Sequence, residues 1–155
     1  EKIDFVYEMT QLENLKLFQT KVNELSAKIK QLSNLEVLDI RLTSVASLPS
    51  EIGALKKLKE IQFNTFKKPF PDSLCNLTAL KTLEGSFKGV KKPYPKEFGN
   101  LINLSRLTAS HDVEPHIPIS FSKLLKLSRF SFRNSQFDKI SDVLCDLSQN
   151  GNNRG

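Results

Sequence analysis

Tryptophan is absent from this 155-residue chain, while cysteine, histidine and tyrosine occur twice each and methionine once. Each shortage excludes something. Two cysteines cannot supply the several bridges of a small secreted disulfide scaffold. Cys75 and Cys145 stand in matching strings, SLCNL and VLCDL, too far apart along the chain's repeat to pair, so both read as small packing residues. The two histidines, His111 and His116 in SHDVEPHIP, fit no structural zinc spacing and read as polar loop residues. Glycine-rich phosphate loops and nucleophile elbows are missing too, so the sequence offers no cofactor and no catalytic centre, and the chain is not expected to be an enzyme. Nor is there a run of about 18 apolar residues that could span a membrane as a helix.

What the chain has is leucine at a fixed interval. A frame LxxLxxΦxΦ, with Φ apolar, opens at Leu12, Leu32, Leu55, Leu77, Leu101 and Leu124, and a truncated seventh at Leu147. The steps are 20, 23, 22, 24, 23 and 23 residues. A period in the twenties implies a solenoid of small repeated units. Positions seven and nine of the frame are apolar and alternate with polar neighbours, the pattern of a short strand with one face buried. A second ladder runs in phase six residues earlier: Pro49, Pro71, Pro95 and Pro118, with Ser26 and Ser141 in the same slot. Apolar residues flank that slot one before and three after. Proline suits the first turn of a helix, so PSEIGAL, PDSLCNL and PKEFGNL read as short helical or 3₁₀ returns.

These segments resemble the leucine-rich repeat family. LPSEIGALKKLKEI, FPDSLCNLTALKTL and YPKEFGNLINLSRL are similar to its LPxxIGxLxxLxxL variety, found in plant, bacterial and Ras-associated repeat proteins. The resemblance implies an α/β right-handed solenoid, with parallel strands on a concave face and short returns on the convex one. It also implies a recognition module with no small-molecule substrate. One departure is plain: position twelve, where the family places Asn or Cys, holds Asn23, Thr43, Phe66, Lys88, Asp112 and Ser135. Phe66 is expected to fill core space beside the gap left by Gly85. The repeat domain is expected over residues 1–147, followed by a polar, disordered tail over 148–155, and the ragged ends suggest a piece of a longer protein.

Strand residues between the buried ones point out of the concave face, so this face is the expected partner site. Its columns contain Leu17, Val37, Glu60, Thr82, Arg106 and Arg129 at position six, then Asp39, Gln62, Glu84 and Thr108 at position eight, with Arg41 and Arg133 at position ten. Arg106, Arg129 and Arg133 together could hold a carboxylate or phosphate. A second candidate is a basic patch, where KKPFP and KKPYP share one register and place Lys67, Lys68, Lys91 and Lys92, with Lys88 nearby, on adjacent turns. With a net charge of +6, this patch suits an acidic partner, an anionic membrane surface or nucleic acid. The expected partner is another protein met at the strand face, the alternatives being an anionic-surface or nucleic-acid binder through the KKPxP turns, or the recognition part of a larger receptor or enzyme. Unpaired thiols lean toward a reducing compartment, while the sequons Asn76-Leu77-Thr78 and Asn103-Leu104-Ser105 lean toward an extracellular one.

Overall fold

In a computed structural model, residues 3–113 and 115–133 are described. They form one parallel sheet whose strands lie side by side in chain order: β1 (Asn14–Lys16), β2 (Val37–Ile40), β3 (Glu60–Phe66), β4 (Thr82–Phe87), β5 (Arg106–His111) and β6 (Arg129–Arg133). Each return passes through a 3₁₀ turn, at Asp4–Glu8, Ala27–Gln31, Ser50–Ala54, Asp72–Asn76, Phe98–Asn100 and Ile119–Lys123. The proline slot explains these turns. Pro49, Pro71 and Pro118 sit at their N-caps with φ of −71°, −66° and −67°, and the carbonyl of each accepts from the residue three ahead. Ser26 reproduces the geometry without a proline ring and adds a side-chain cap, its hydroxyl accepting from the Lys28 N–H.

All the leucines at positions one and four from Leu32 to Leu124 are buried at 1% exposure or less. The apolar residues around the proline slot, such as Leu48, Ile52, Phe70 and Leu74, close the opposite wall of the same core. Burying each such side chain contributes about 1.5–3 kcal/mol, and none could be buried within a single repeat. The repeats are also joined by polar clamps at frame position three. Asn34 donates to the Thr10 carbonyl at 3.1 Å and accepts from Lys57 at 2.7 Å. Asn103 likewise donates to the Thr78 carbonyl and accepts from Lys126. Each asparagine therefore ties together three consecutive repeats.

Two register expectations need correction. Leu15, not Phe18, pairs with Leu38, and Asn14 pairs with Val37. The first frame thus opens at Met9, 23 residues before Leu32. Leu17 faces the core at 8% exposure, and Phe18 is exposed at 49%. The second correction is an irregularity in β3: Gln62 pairs with Glu84, but the next pair is Thr65 with Ser86. The extra residue brings Phe66 opposite Phe87 rather than Lys88, and β5 then places His111 on the same rung.

The rung that the sequence reading filled with Asn23, Thr43, Phe66, Lys88 and Asp112 is therefore Thr20, Thr43, Phe66, Phe87 and His111. Thr20 and Thr43 turn their hydroxyls to the carbonyls of Leu17 and Ile40, at 2.8 and 2.7 Å. From the third repeat onward the rung is aromatic. Phe63, Phe66, Phe70 and Phe87 form a four-ring cluster with centroids 4.1–6.1 Å apart. The space beside Gly85 is filled by Phe63, not by Phe66. Ser135, Cys145, the frame at Leu147 and the tail lie outside the described residues.

Candidate functional site at the strand-lined face

Parallel, in-register pairing converts frame positions into columns. One column runs Val37, Glu60, Thr82, Arg106, Arg129, and its neighbour runs Asp39, Gln62, Glu84, Thr108, Ser131. In the first repeat these columns begin with Asn14 and Lys16, so Leu17 is removed from the expected surface. Val37, Glu60, Thr82, Arg106, Gln62, Glu84 and Thr108 are half-buried, and Arg129 is exposed. Arg133 closes β6 opposite Ser110.

Asp39 also leaves the expected set. Its side chain is only 7% exposed and is covered by Arg41. The guanidinium donates from Nε to Oδ1 at 3.0 Å and from its terminal nitrogen to Oδ2 at 2.7 Å, and the Arg41 N–H donates to Oδ1 as well. These bonds hold the Asp39 carboxyl below the usual carboxylate range. The guanidinium carbon lies over the Phe18 ring, 5.6 Å from its centre. Arg41 is thus fixed in place, a buried carboxylate behind it and an aromatic ring beside it. Further along, Arg106 pairs with Glu84 at 3.7 Å, and Gln62 bonds Glu60. The face therefore alternates in charge along its length, basic at Lys16 and Arg41, acidic at Glu60 and Glu84, and basic again at Arg106 and Arg129, with Arg41 the one held by a bidentate partner among the described residues.

The edge at which the strands end has a different character. Gln19 and Leu42, one period apart, both adopt left-handed backbone, with φ of 60° and 53°, and Leu42 is 54% exposed there. Lys67 and Lys88 follow β3 and β4 directly, and the Lys67 and Lys88 N–H groups bond the Ala46 and Phe66 carbonyls. The two KKPxP turns meet through the Phe70 N–H and the Pro93 carbonyl. Lys67, Lys68, Lys88, Lys91 and Lys92 are all exposed.

His111 proves to be a core residue. It is 4% exposed, stacked on Phe87 at 5.3 Å and 6°, with Nε2 bonded to the Tyr94 hydroxyl at 3.0 Å. Nδ1 is buried with no partner. Burial lowers its pKa to about 4. Burial likewise pushes the Cys75 thiol up to about 11, which leaves it unreactive. Among the described residues no group of three or more His, Cys, Asp and Glu side chains could hold a metal, and no helix is long and apolar enough to cross a membrane. The Arg41–Phe18 pair is not visible from a first frame opening at Leu12, which puts Phe18 in the core; alternation of Leu15, Lys16 and Leu17 is the signal for the frame at Met9 that the strand pairing shows.

The chain is similar to several solved structures. A leucine-rich-repeat protein of Leptospira interrogans superposes with a TM-score of 0.76 at 22% identity, over 92% of this chain and 36% of that one. The plant peptide hormone receptor RGFR1, solved with RGF2, gives 0.72 at 25% identity, over 83% and 22%. The Arabidopsis receptor kinase HAESA, solved with the peptide hormone IDA and the co-receptor SERK1, gives 0.72 at 26%, over 90% and 24%. The chain spans about a quarter to a third of the length of these proteins. The family described as leucine-rich repeat region matches residues 1–148. With its 23-residue frame, parallel sheet and shared leucine core, the chain belongs to the leucine-rich repeat family.

Proposed function

We propose that this chain is a non-catalytic protein-recognition module that engages its partner through the strand-lined face. The observation that carries the reading is the alternating charge of that face, with Arg41 held over Asp39 by two guanidinium bonds and Arg106 set beside Glu84. A side chain held as Arg41 is loses little freedom when a partner docks. The similar receptors RGFR1 and HAESA are each solved with a peptide hormone, which supports a peptide or protein as the ligand here. The partner surface would span Val37, Arg41, Glu60, Gln62, Thr82, Glu84, Arg106, Thr108, Arg129 and Arg133, without Leu17 and Asp39.

Affinity isolation with the native chain and with the variant Glu84→Lys/Arg106→Glu/Arg129→Glu tests this. A true partner is retained by the native chain and lost from the variant, and equal retention by both contradicts the reading.

A further inference from the structure

We propose a second recognition element on the edge where the strands end, fitted to an acidic protein segment that carries an apolar side chain at one end. It rests on the protein-recognition reading and shares Arg41 with the strand-lined face, but otherwise uses the edge beyond the columns of that face.

Three independent features meet on this edge. The first is strain. Leu42 holds a left-handed backbone that a branched side chain adopts only at a cost, and it does so exposed, where no core contact compensates. Phe18 is exposed in the neighbouring repeat, one residue before the left-handed Gln19. The second is Arg41, held by Asp39 beside the Phe18 ring. An exposed aromatic with a held arginine over its ring, and an exposed leucine in the adjacent repeat, offer an apolar anchoring spot.

The third feature is charge. Between the strand end and the proline slot, the second to fourth repeats carry six cations, Arg41, Lys67, Lys68, Lys88, Lys91 and Lys92, and no acid. Only Arg41 has an ion-pair partner, Asp39; the five lysines make no salt bridge among the described residues. Like charges on adjacent turns repel, so the arrangement does not serve folding. The acidic side returns in the fifth repeat, where Asp112 accepts from the Gly89 N–H at 2.5 Å and bounds the cationic stretch.

The edge therefore presents the exposed Phe18 and Leu42 with Arg41 in the first two repeats, where Lys21 and Glu24 are exposed as well, and lysines alone through the third and fourth. Three steps of about 4.8 Å between strands span about 14 Å, which is four to five residues of extended chain at about 3.3 Å each. An occupant of roughly six residues would seat an apolar side chain against Phe18 and Leu42 and run its carboxylates over the lysines. The apolar anchor distinguishes such a segment from DNA or an anionic lipid surface, which would use the lysines alone.

The test uses a labelled peptide of two leucines followed by six glutamates, with an all-glutamate octamer as its comparison, read by fluorescence anisotropy. The leucine-headed peptide is expected to bind at least about tenfold tighter than the octamer. Lys67→Glu/Lys68→Glu/Lys91→Glu/Lys92→Glu should abolish binding of both. Phe18→Ser/Leu42→Gly, which alters only exposed side chains, should bring the headed peptide down to the octamer's affinity. Arg106→Glu/Arg129→Glu should leave the headed peptide bound. The proposal is overturned if the two peptides bind alike, if Phe18→Ser/Leu42→Gly changes nothing, or if double-stranded DNA or phosphatidylserine vesicles displace the headed peptide more effectively than the peptide itself does. Should Arg106→Glu/Arg129→Glu lose the peptide while the edge variants keep it, the edge is wrong and the strand-face reading stands. Loss of an isolated protein partner from neither set of variants would instead count against the strand-face reading.

Discussion

His111 is buried as a neutral ring, and that sets a pH dependence. Its unfolded value is about 6.5, and its folded value is lowered to about 4. Below pH 6.5 the unfolded chain takes up a proton that the folded chain refuses. The stabilisation is therefore complete above pH 6.5 and is lost as the pH falls toward 4, by roughly 3 kcal/mol in total. Urea midpoints measured between pH 7 and 4 should show this loss in the native chain and a shallower slope in His111→Phe, which keeps the stack on Phe87. His111→Phe should also cost about 1 kcal/mol at pH 7, because the buried Tyr94 hydroxyl loses its hydrogen-bond partner. Identical slopes in the two proteins would show that His111 is not the group responsible. Asp39 acts through the opposite ionisation. Arg41→Met removes both the cover and the two guanidinium bonds of the Asp39 carboxylate, which then meets water, and should destabilise by about 1 kcal/mol at pH 7. That penalty should shrink as the pH falls below about 4 and the carboxyl is neutralised in both states. Leu42→Gly should move stability the other way, raising it by about 1 kcal/mol, since only glycine holds φ near 53° without cost.

At the scale of the element, one contact tests the packing of β3 on β4. A Cβ added at Gly85 would lie 2.5 Å from atoms of the Phe63 ring. Gly85→Ala should therefore cost about 2 kcal/mol, and much of that should be recovered in Phe63→Leu/Gly85→Ala; purely additive costs in a double-mutant cycle would argue against the Phe63–Gly85 contact. The strands and returns from Leu32 onward were legible in the sequence, because a leucine every three residues and a proline six residues upstream admit a single register. The first repeat was not. Met9, Leu12, Leu15 and Phe18 are all three apart, so the frame fits equally well when shifted by one such step. Only the core decides, by taking Leu15 and Leu17 and leaving Phe18 outside. The extra residue in β3 was hidden for another reason: Phe66 and Phe87 are both large and apolar, and their pairing depends on where the third dimension places the rings.

At the scale of the whole molecule, stacking makes each repeat dependent on its neighbours and turns a short unit into a continuous surface. The outward columns from β2 onward follow directly from the frame, so most of the candidate face could be read from sequence. Asp39 could not, because its burial depends on Arg41 folding back over it, a rotamer that no periodicity encodes. The polar clamps of Asn34 and Asn103 were equally invisible; the Asn103 string reads as a sequon, yet its amide bridges the repeats on either side.

The central claim is that the strand-lined face, rather than the turn-lined one, recognises a protein. It is tested most directly by calorimetric titration of the isolated partner into three chains of matched urea midpoint: native, Glu84→Lys/Arg106→Glu/Arg129→Glu, and a turn-side control, Lys30→Glu/Glu51→Lys/Lys123→Glu. The strand-face variant should lose at least about tenfold in affinity, or 1.4 kcal/mol, while the control binds as the native chain does. Native affinity in the strand-face variant, with loss in the turn-side control, would place recognition on the other side of the solenoid and contradict the account.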